Sequence, residues 1–182
     1  MDKKTGYILY LDLLGYKNII RSKDDVQEAE LSKFVEEFIS VEKLKTEVKK
    51  CHEHFEEDKL VIRCFSDNFI IFYESPSIDK DSLIVSLLLG CILLGGAVEQ
   101  GYMLRGSIVF GDIYYSDSVV FGESIVKAYE LESNHIEPNI ALSQDLKKEY
   151  EKQKLYDLDI ISPFSTRFND SLEEARLYYE GI

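Results

Sequence analysis

Residues 7–19 read Y-I-L-Y-L-D-L-L-G-Y-K-N-I. From Tyr7 to Leu13 nearly every position is apolar, the pattern of a strand covered on both faces. One carboxylate, Asp12, interrupts it a residue before its end. Leu14, Gly15 and Tyr16 then turn the chain. Basic residues precede the apolar run, but Asp12 breaks it and no small-residue cleavage site follows, so the stretch reads as a strand and not as a secretion signal.

Working outward, Leu31, Phe34, Val35, Phe38, Ile39, Val48, Cys51 and Phe55 recur at helical spacings among Glu and Lys. They predict one long amphipathic helix over about 24–55, or two with a break near Ser40. Leu60 to Phe65 and Phe69 to Tyr73 are β-branched and aromatic runs around Ser66-Asp67-Asn68, which predicts a hairpin with Asp67 at its tip. Leu83 to Val98 predicts an apolar helix. Short strands follow at Met103 to Phe110, Ile113 to Tyr115 and Val119 to Phe121, then a helix over Ser124 to Glu132 and a strand over Asn139 to Leu142. A charged helix, QDLKKEYEKQK, a loop around Pro163 and a helix over about 170–179 complete the chain. This order suits an α+β layer with helices on one face of a mostly antiparallel sheet.

The chain has 182 residues, 45% of them hydrophobic, enough for one sizeable core and too few for two. One domain over 1–182 is expected, with its core at 7–145 and a C-terminal helical extension at 146–182. A net charge of -13 repels phosphate backbones and argues against nucleic-acid binding. It does not argue against a small polyphosphate, since a bound divalent cation supplies positive charge locally. Cys51, Cys64 and Cys91 are odd in number and never in a C-x-x-C pair, which fits free thiols in a reducing cytoplasm. The Leu83–Val98 segment falls short of the roughly 18–20 residues that span a bilayer. A helix buried in the core is expected instead, its Gly90, Gly95 and Gly96 allowing close approach to a sheet or a second subunit, with no membrane contact.

If the first strand lies beside the hairpin, Asp12 and Asp67 meet at one edge of the sheet. Two carboxylates, assisted by a backbone carbonyl such as that of Leu13, are oxygen ligands of the kind Mg²⁺ accepts while keeping positions for phosphate and water. The turn Leu14-Gly15-Tyr16 follows directly, and Gly15 lets backbone N–H groups face phosphate oxygens. Taken alone, Asp12 reads more readily as a helix N-cap or a solvated strand end, and Asp67 as an ordinary turn aspartate. Other groupings carry less. In His52-Glu53-His54, side chains two apart on a helix diverge. Cys64 and Cys91 have no histidine close in sequence, and no G-x-S-x-G is present. Tyr114, Tyr115, Tyr178 and Tyr179 lack the basic stripe that base stacking needs.

Four segments, YLDLLGYKNI, RCFSDNFIIF, LRGSIVFGDI and FGESIVKAYELES, resemble in this order the signature blocks of class III adenylate/guanylate cyclase catalytic domains. The resemblance spans about residues 7–145. It implies a ferredoxin-like palm that dimerises head to tail, with nucleoside triphosphate bound at the subunit interface. It implies that Asp12 and Asp67 are the catalytic, Mg²⁺- or Mn²⁺-binding aspartates, that the Leu13 carbonyl also binds metal, and that Leu14, Gly15 and Tyr16 bind phosphate. The implied reaction is attack of the ribose 3′-OH on the α-phosphate with loss of pyrophosphate.

The chain also departs from the family pattern. Arg63 stands where the family places Lys or Glu against the purine, and Val119 where it places Asp or Cys. Val126 and Glu130 replace the Asn and Arg that orient the ribose and stabilise the transition state. An apolar side chain and a carboxylate serve neither purpose. Arg105, Lys127, Lys17 and Arg167 are the cations available to compensate. Three readings stay open: a cyclase of unusual base preference, with Arg63 facing a carbonyl-bearing base such as a pyrimidine, as in bacterial antiviral signalling; a silent cyclase-like nucleotide sensor or dimerising scaffold; and a palm-type polymerase relative, which the acidic surface disfavours.

Overall fold

The computed structural model describes residues 2–38, 40–116, 119–134 and 138–155. The expected helix over about 170–179, Arg167 and the loop around Pro163 lie outside them. The opening strand is longer than the apolar run suggests: β1 covers Asp2–Leu13. Its polar first residues are held by neighbours, with the Lys3 ammonium 2.7 Å from Asp112 and the Lys4 ammonium 2.8 Å from Glu74. After the turn comes an unanticipated short helix, α1 (Tyr16–Ser22), which fully buries no residue and rests only Tyr16 and Ile19 on the core, too short a stretch to show a helical period. The long amphipathic stretch divides at Ser40 into α2 (Asp25–Phe38) and α3 (Val41–Cys51). The Ser40 hydroxyl caps α3 by accepting from the Lys43 N–H. The last apolar residue of that stretch, Phe55, lies beyond α3, buried and stacked on Tyr73.

The hairpin pairs β2 (Leu60–Phe65) with β3 (Asn68–Glu74). Phe65 faces Asn68, so Ser66 and Asp67 form the two-residue turn, Ser66 taking φ of 58° as tight hairpins demand. A single strand, β4 (Leu104–Tyr115), replaces the two expected there. Gly111 and Asp112 look like a break in sequence, yet Asp112 is satisfied within the sheet by Thr5 and Lys3. β5 is Val120–Phe121, α5 is Glu123–Ser133, β6 is Ile140–Leu142 and α6 is Gln144–Lys152.

The sheet runs β2-β3-β1-β4-β5, antiparallel throughout, with β6 joining β4 in parallel. Because strand side chains alternate, β1 divides its residues between two environments. Tyr7, Leu9, Leu11 and Leu13 enter the main core with α2, α3 and α4 (Lys80–Glu99). Ile8 and Tyr10 face the other side, where Ala128 of α5 packs. The main helical layer thus occupies one face, and α5 lies over β1 and β4 on the opposite one.

At 20 residues α4 exceeds the expected segment and is long and apolar enough to cross a bilayer by length and composition. Leu83, Val85, Leu88, Leu89, Leu93 and Ala97 are nevertheless buried in the main core. Gly90 meets the sheet: a Cβ there would lie 2.8 Å from Ile140 of β6.

Candidate functional site

Asp12 and Asp67 come from different elements that the sheet brings together. Antiparallel register sets Asp12 opposite Asn68 on one side and opposite Arg105 on the other. The hairpin turn therefore lies against the end of β1, where the Leu13 N–H donates to the Asp67 carbonyl at 2.9 Å. The Leu14 N–H donates to the Met103 carbonyl, also at 2.9 Å. Gly15 then adopts φ of 82° and opens α1, so Leu14, Gly15 and Tyr16 turn immediately beside the aspartates.

Asp12 is half-buried on the α5 side of the sheet. Burial raises its carboxyl pKa above the ordinary value, and the charges of Glu132 and Asp67 push the same way; Arg105 and Lys17 only partly oppose them. Glu132 has a side chain 3% exposed and accepts from the Arg105 Nε, while Arg105 Nη2 lies 3.5 Å from Asp12 Oδ2. On the other flank, the Tyr10 hydroxyl donates to Asn68 Oδ1, and Asn68 Nδ2 donates to Asp67 Oδ1 at 3.2 Å. Burial first, then the charges of Glu132 and Asp12, hold the Tyr10 hydroxyl at a pKa of about 12, so it remains a donor near neutrality.

Sequence reading did not single out Glu132, Tyr10 or Asn68 as site residues. For Glu132 a signal existed: Ser124, Ala128 and Glu132 are spaced by four and are the buried residues of α5. A carboxylate ending a buried helical stripe needs a cation, and Arg105 supplies it.

The remaining expected positions divide. Arg63 shares the Asp12 face, as its pairing with Ile70 and that of Ile70 with Tyr10 require. Its guanidinium donates to the carbonyls of Ile62 and Ser116, and its Nε is buried with no partner among the described residues. Val119 is exposed just before β5. Val126, 53% exposed, and Glu130 lie on the outer side of α5, away from this chain's own aspartates. Lys127 pairs with Glu123 at 2.8 Å on the surface. Of the candidate compensating cations, the structure brings Arg105 into contact with Asp12.

The fold recurs in solved structures. The guanylyl cyclase Cya2 superposes with a TM-score of 0.59 at 16% identity, covering 81% of this chain and 78% of that one. This is the class III nucleotidyl cyclase fold. The guanylate cyclase domain of RhGC from Catenaria anguillulae, solved with GTP, gives 0.57 at 12% identity, with 82% and 84% covered. A class III adenylyl cyclase-like ATP-binding protein from Pseudomonas aeruginosa gives 0.50 at 11% identity, over 80% of this chain and 34% of that one. No family model matches the sequence, and no curated protein matches it. On the class III fold, Asp12 ends the first strand and Asp67 turns the hairpin beside it.

Among the described residues no group of three or more His, Cys, Asp or Glu side chains forms a cage for a metal ion. The donor chemistry at Asp12 and Asp67 nevertheless fits Mg²⁺ or Mn²⁺. Burial, then the Glu132 and Asp67 charges, disfavour the ionised Asp12, a cation beside it would favour that form, and Mg²⁺ is commonly held by one or two carboxylates with the rest of its shell from water and substrate phosphate.

Proposed function

We propose that this chain is a divergent nucleotidyl cyclase domain that binds a nucleoside triphosphate with Mg²⁺ or Mn²⁺ at Asp12 and Asp67 and converts it to the 3′,5′-cyclic nucleotide and pyrophosphate. The observation that carries the reading is the meeting of these two carboxylates, beside the Gly15 turn, within the class III fold. Asp12, Asp67 and the Leu13 carbonyl would hold the metal. When bound, the cation neutralises triphosphate charge and eases ionisation of the attacking 3′-OH. Tyr10 and Asn68 orient Asp67, and the main-chain contact between Leu13 and Asp67 fixes the spacing at which the carboxylates receive the ligand. Leu14, Gly15 and Tyr16 take the phosphates.

For the base, Arg63 supports a carbonyl-bearing ring such as uracil, cytosine or guanine, because its buried Nε is a donor seeking an acceptor. For assembly, the sheet face beside α5 supports a head-to-tail homodimer. Val61 and Ile70 are half-buried there, and Phe65 (82% exposed), Val126 and Tyr129 present apolar surface. The three free thiols support a reducing, cytoplasmic setting.

Incubation with each of the four nucleoside triphosphates and Mn²⁺, followed by mass spectrometry, tests the reaction. A cyclic nucleotide from at least one, absent with Asp67→Asn, is expected; no cyclic product from any removes the cyclase reading. A second reading, nucleotide sensing without turnover, is favoured by Val126 and Glu130, which supply neither ribose-orienting amide nor cation. Metal-dependent triphosphate binding without product would select it. Light scattering tests the dimer: a monomer at micromolar concentration contradicts a site shared between subunits.

A further inference from the structure

We infer that Arg105 is an internal counter-ion of the Asp12–Asp67 pair, kept from closing on Asp12 by the buried carboxylate of Glu132, and that this pairing sets how tightly the site takes a divalent cation. The inference rests on the metal reading above and concerns the tuning of that same site.

Register and burial carry it. Arg105 stands directly opposite Asp12 across β1 and β4, so its guanidinium rises from the same face of the sheet as the carboxylate. Glu132 descends from α5 onto that face, with Ala128 and Ser124 seating the helix above it. Arg105 reaches the two acids unequally: Nε is in close contact with Glu132, whereas Nη2 lies at 3.5 Å from Asp12, the outer limit of a hydrogen bond. Glu132, at 3% side-chain exposure, has almost no water to stabilise its charge, whereas Asp12 at 21% has some. The guanidinium therefore belongs first to the more buried acid. Asp12 is held by Arg105 only at the limit of a hydrogen bond.

Asp12 and Glu132 share the Arg105 guanidinium, and the Asp67 charge acts on Asp12 as well. If Glu132 loses its charge, the guanidinium turns more fully to Asp12 and competes there with a cation. If both Arg105 and Glu132 are neutral, that competition is removed. Glu132 is thus a positioning residue, acting on Asp12 through Arg105.

The test is a Mn²⁺ titration of the full chain, read by the electron paramagnetic resonance of free Mn²⁺. It compares the wild type with Glu132→Gln, Arg105→Met/Glu132→Gln and Asp67→Asn. Glu132→Gln should weaken Mn²⁺ binding about ten- to a hundredfold, the range for residues that orient metal ligands. The double variant should return to within about threefold of the wild type, a coupling that a purely structural role for Glu132 does not produce. Unchanged affinity in a folded Glu132→Gln overturns the inference. So does a folded double variant that still binds weakly, whether or not Glu132→Gln alone folds. Absence of wild-type Mn²⁺ binding, or its survival in Asp67→Asn, overturns the metal reading itself, and this inference falls with it.

Discussion

The Leu13 N–H and the Asp67 carbonyl, 2.9 Å apart, join the end of the central strand to the tip of the hairpin. The bond belongs to the main chain, so it brings the Asp12 and Asp67 side chains together whatever their charge. The Asp12 carboxyl is raised first by burial, then by the Glu132 charge and then by that of Asp67.

That shift has a definite sign. Burial, then the Glu132 and Asp67 charges, raise the folded-state pKa of Asp12 above its ordinary 3.8. Across the window between the unfolded and folded values the native state binds more protons than the unfolded one, so stability of the cation-free chain falls as pH rises through it. Asp12→Asn removes this charge. At neutral pH, without metal, this variant should be more stable than the wild type by on the order of 1 kcal/mol, the scale found when functional strain is relieved. Thermal melts from pH 4 to 8 check it. A melting temperature at pH 7 equal to or below that of the wild type would count against a destabilising charge at Asp12.

Tyr10 acts on Asp67 at one remove, through Asn68. Tyr10→Phe retains the ring and its edge contact with Tyr129 while deleting the donor. It should cost about 1 kcal/mol of stability and weaken Mn²⁺-dependent triphosphate binding about tenfold, as loss of a ligand-orienting hydrogen bond does. Calorimetric titration reads the affinity. Unchanged binding would show that Asp67 needs no such support.

Gly111 is the seat of α5. A side chain there would run into Ser124 at the helix's first turn. Gly111→Val should lift the start of α5 and destabilise the fold by about 1–3 kcal/mol, the range for overpacking. Because Glu132 rides on the same helix, metal binding should weaken as well. Denaturant unfolding measures the first effect and Mn²⁺ titration the second; a variant as stable as the wild type would mean that α5 docks elsewhere.

Local signals were readable where one segment decides the outcome. The apolar run from Tyr7 to Leu13, the Ser66-Asp67 turn and the α4 segment each carry their own pattern, and together they imply the antiparallel layer. What depended on register was not readable. The pairing of Tyr10 with Asn68, and of Arg105 with Glu132, joins residues 58 and 27 positions apart, and no periodicity encodes such a match. β4 is one strand where the sequence suggests two, at Met103 to Phe110 and Ile113 to Tyr115, with Gly111 and Asp112 between them. Their reason lies in α5 and β1, which pack against them. α1 spans seven residues and rests only Tyr16 and Ile19 on the core, too few to establish a hydrophobic period.

The central claim is that Asp12 and Asp67 together hold a divalent cation and a triphosphate. Isothermal calorimetry of the wild type, Asp12→Asn and Asp67→Asn against each nucleoside triphosphate, with Mn²⁺ and with EDTA, tests it most directly. The account predicts saturable binding of at least one triphosphate by the wild type, abolished by EDTA and by either substitution. Binding that persists in EDTA or in both variants, or no binding of any triphosphate, would contradict it.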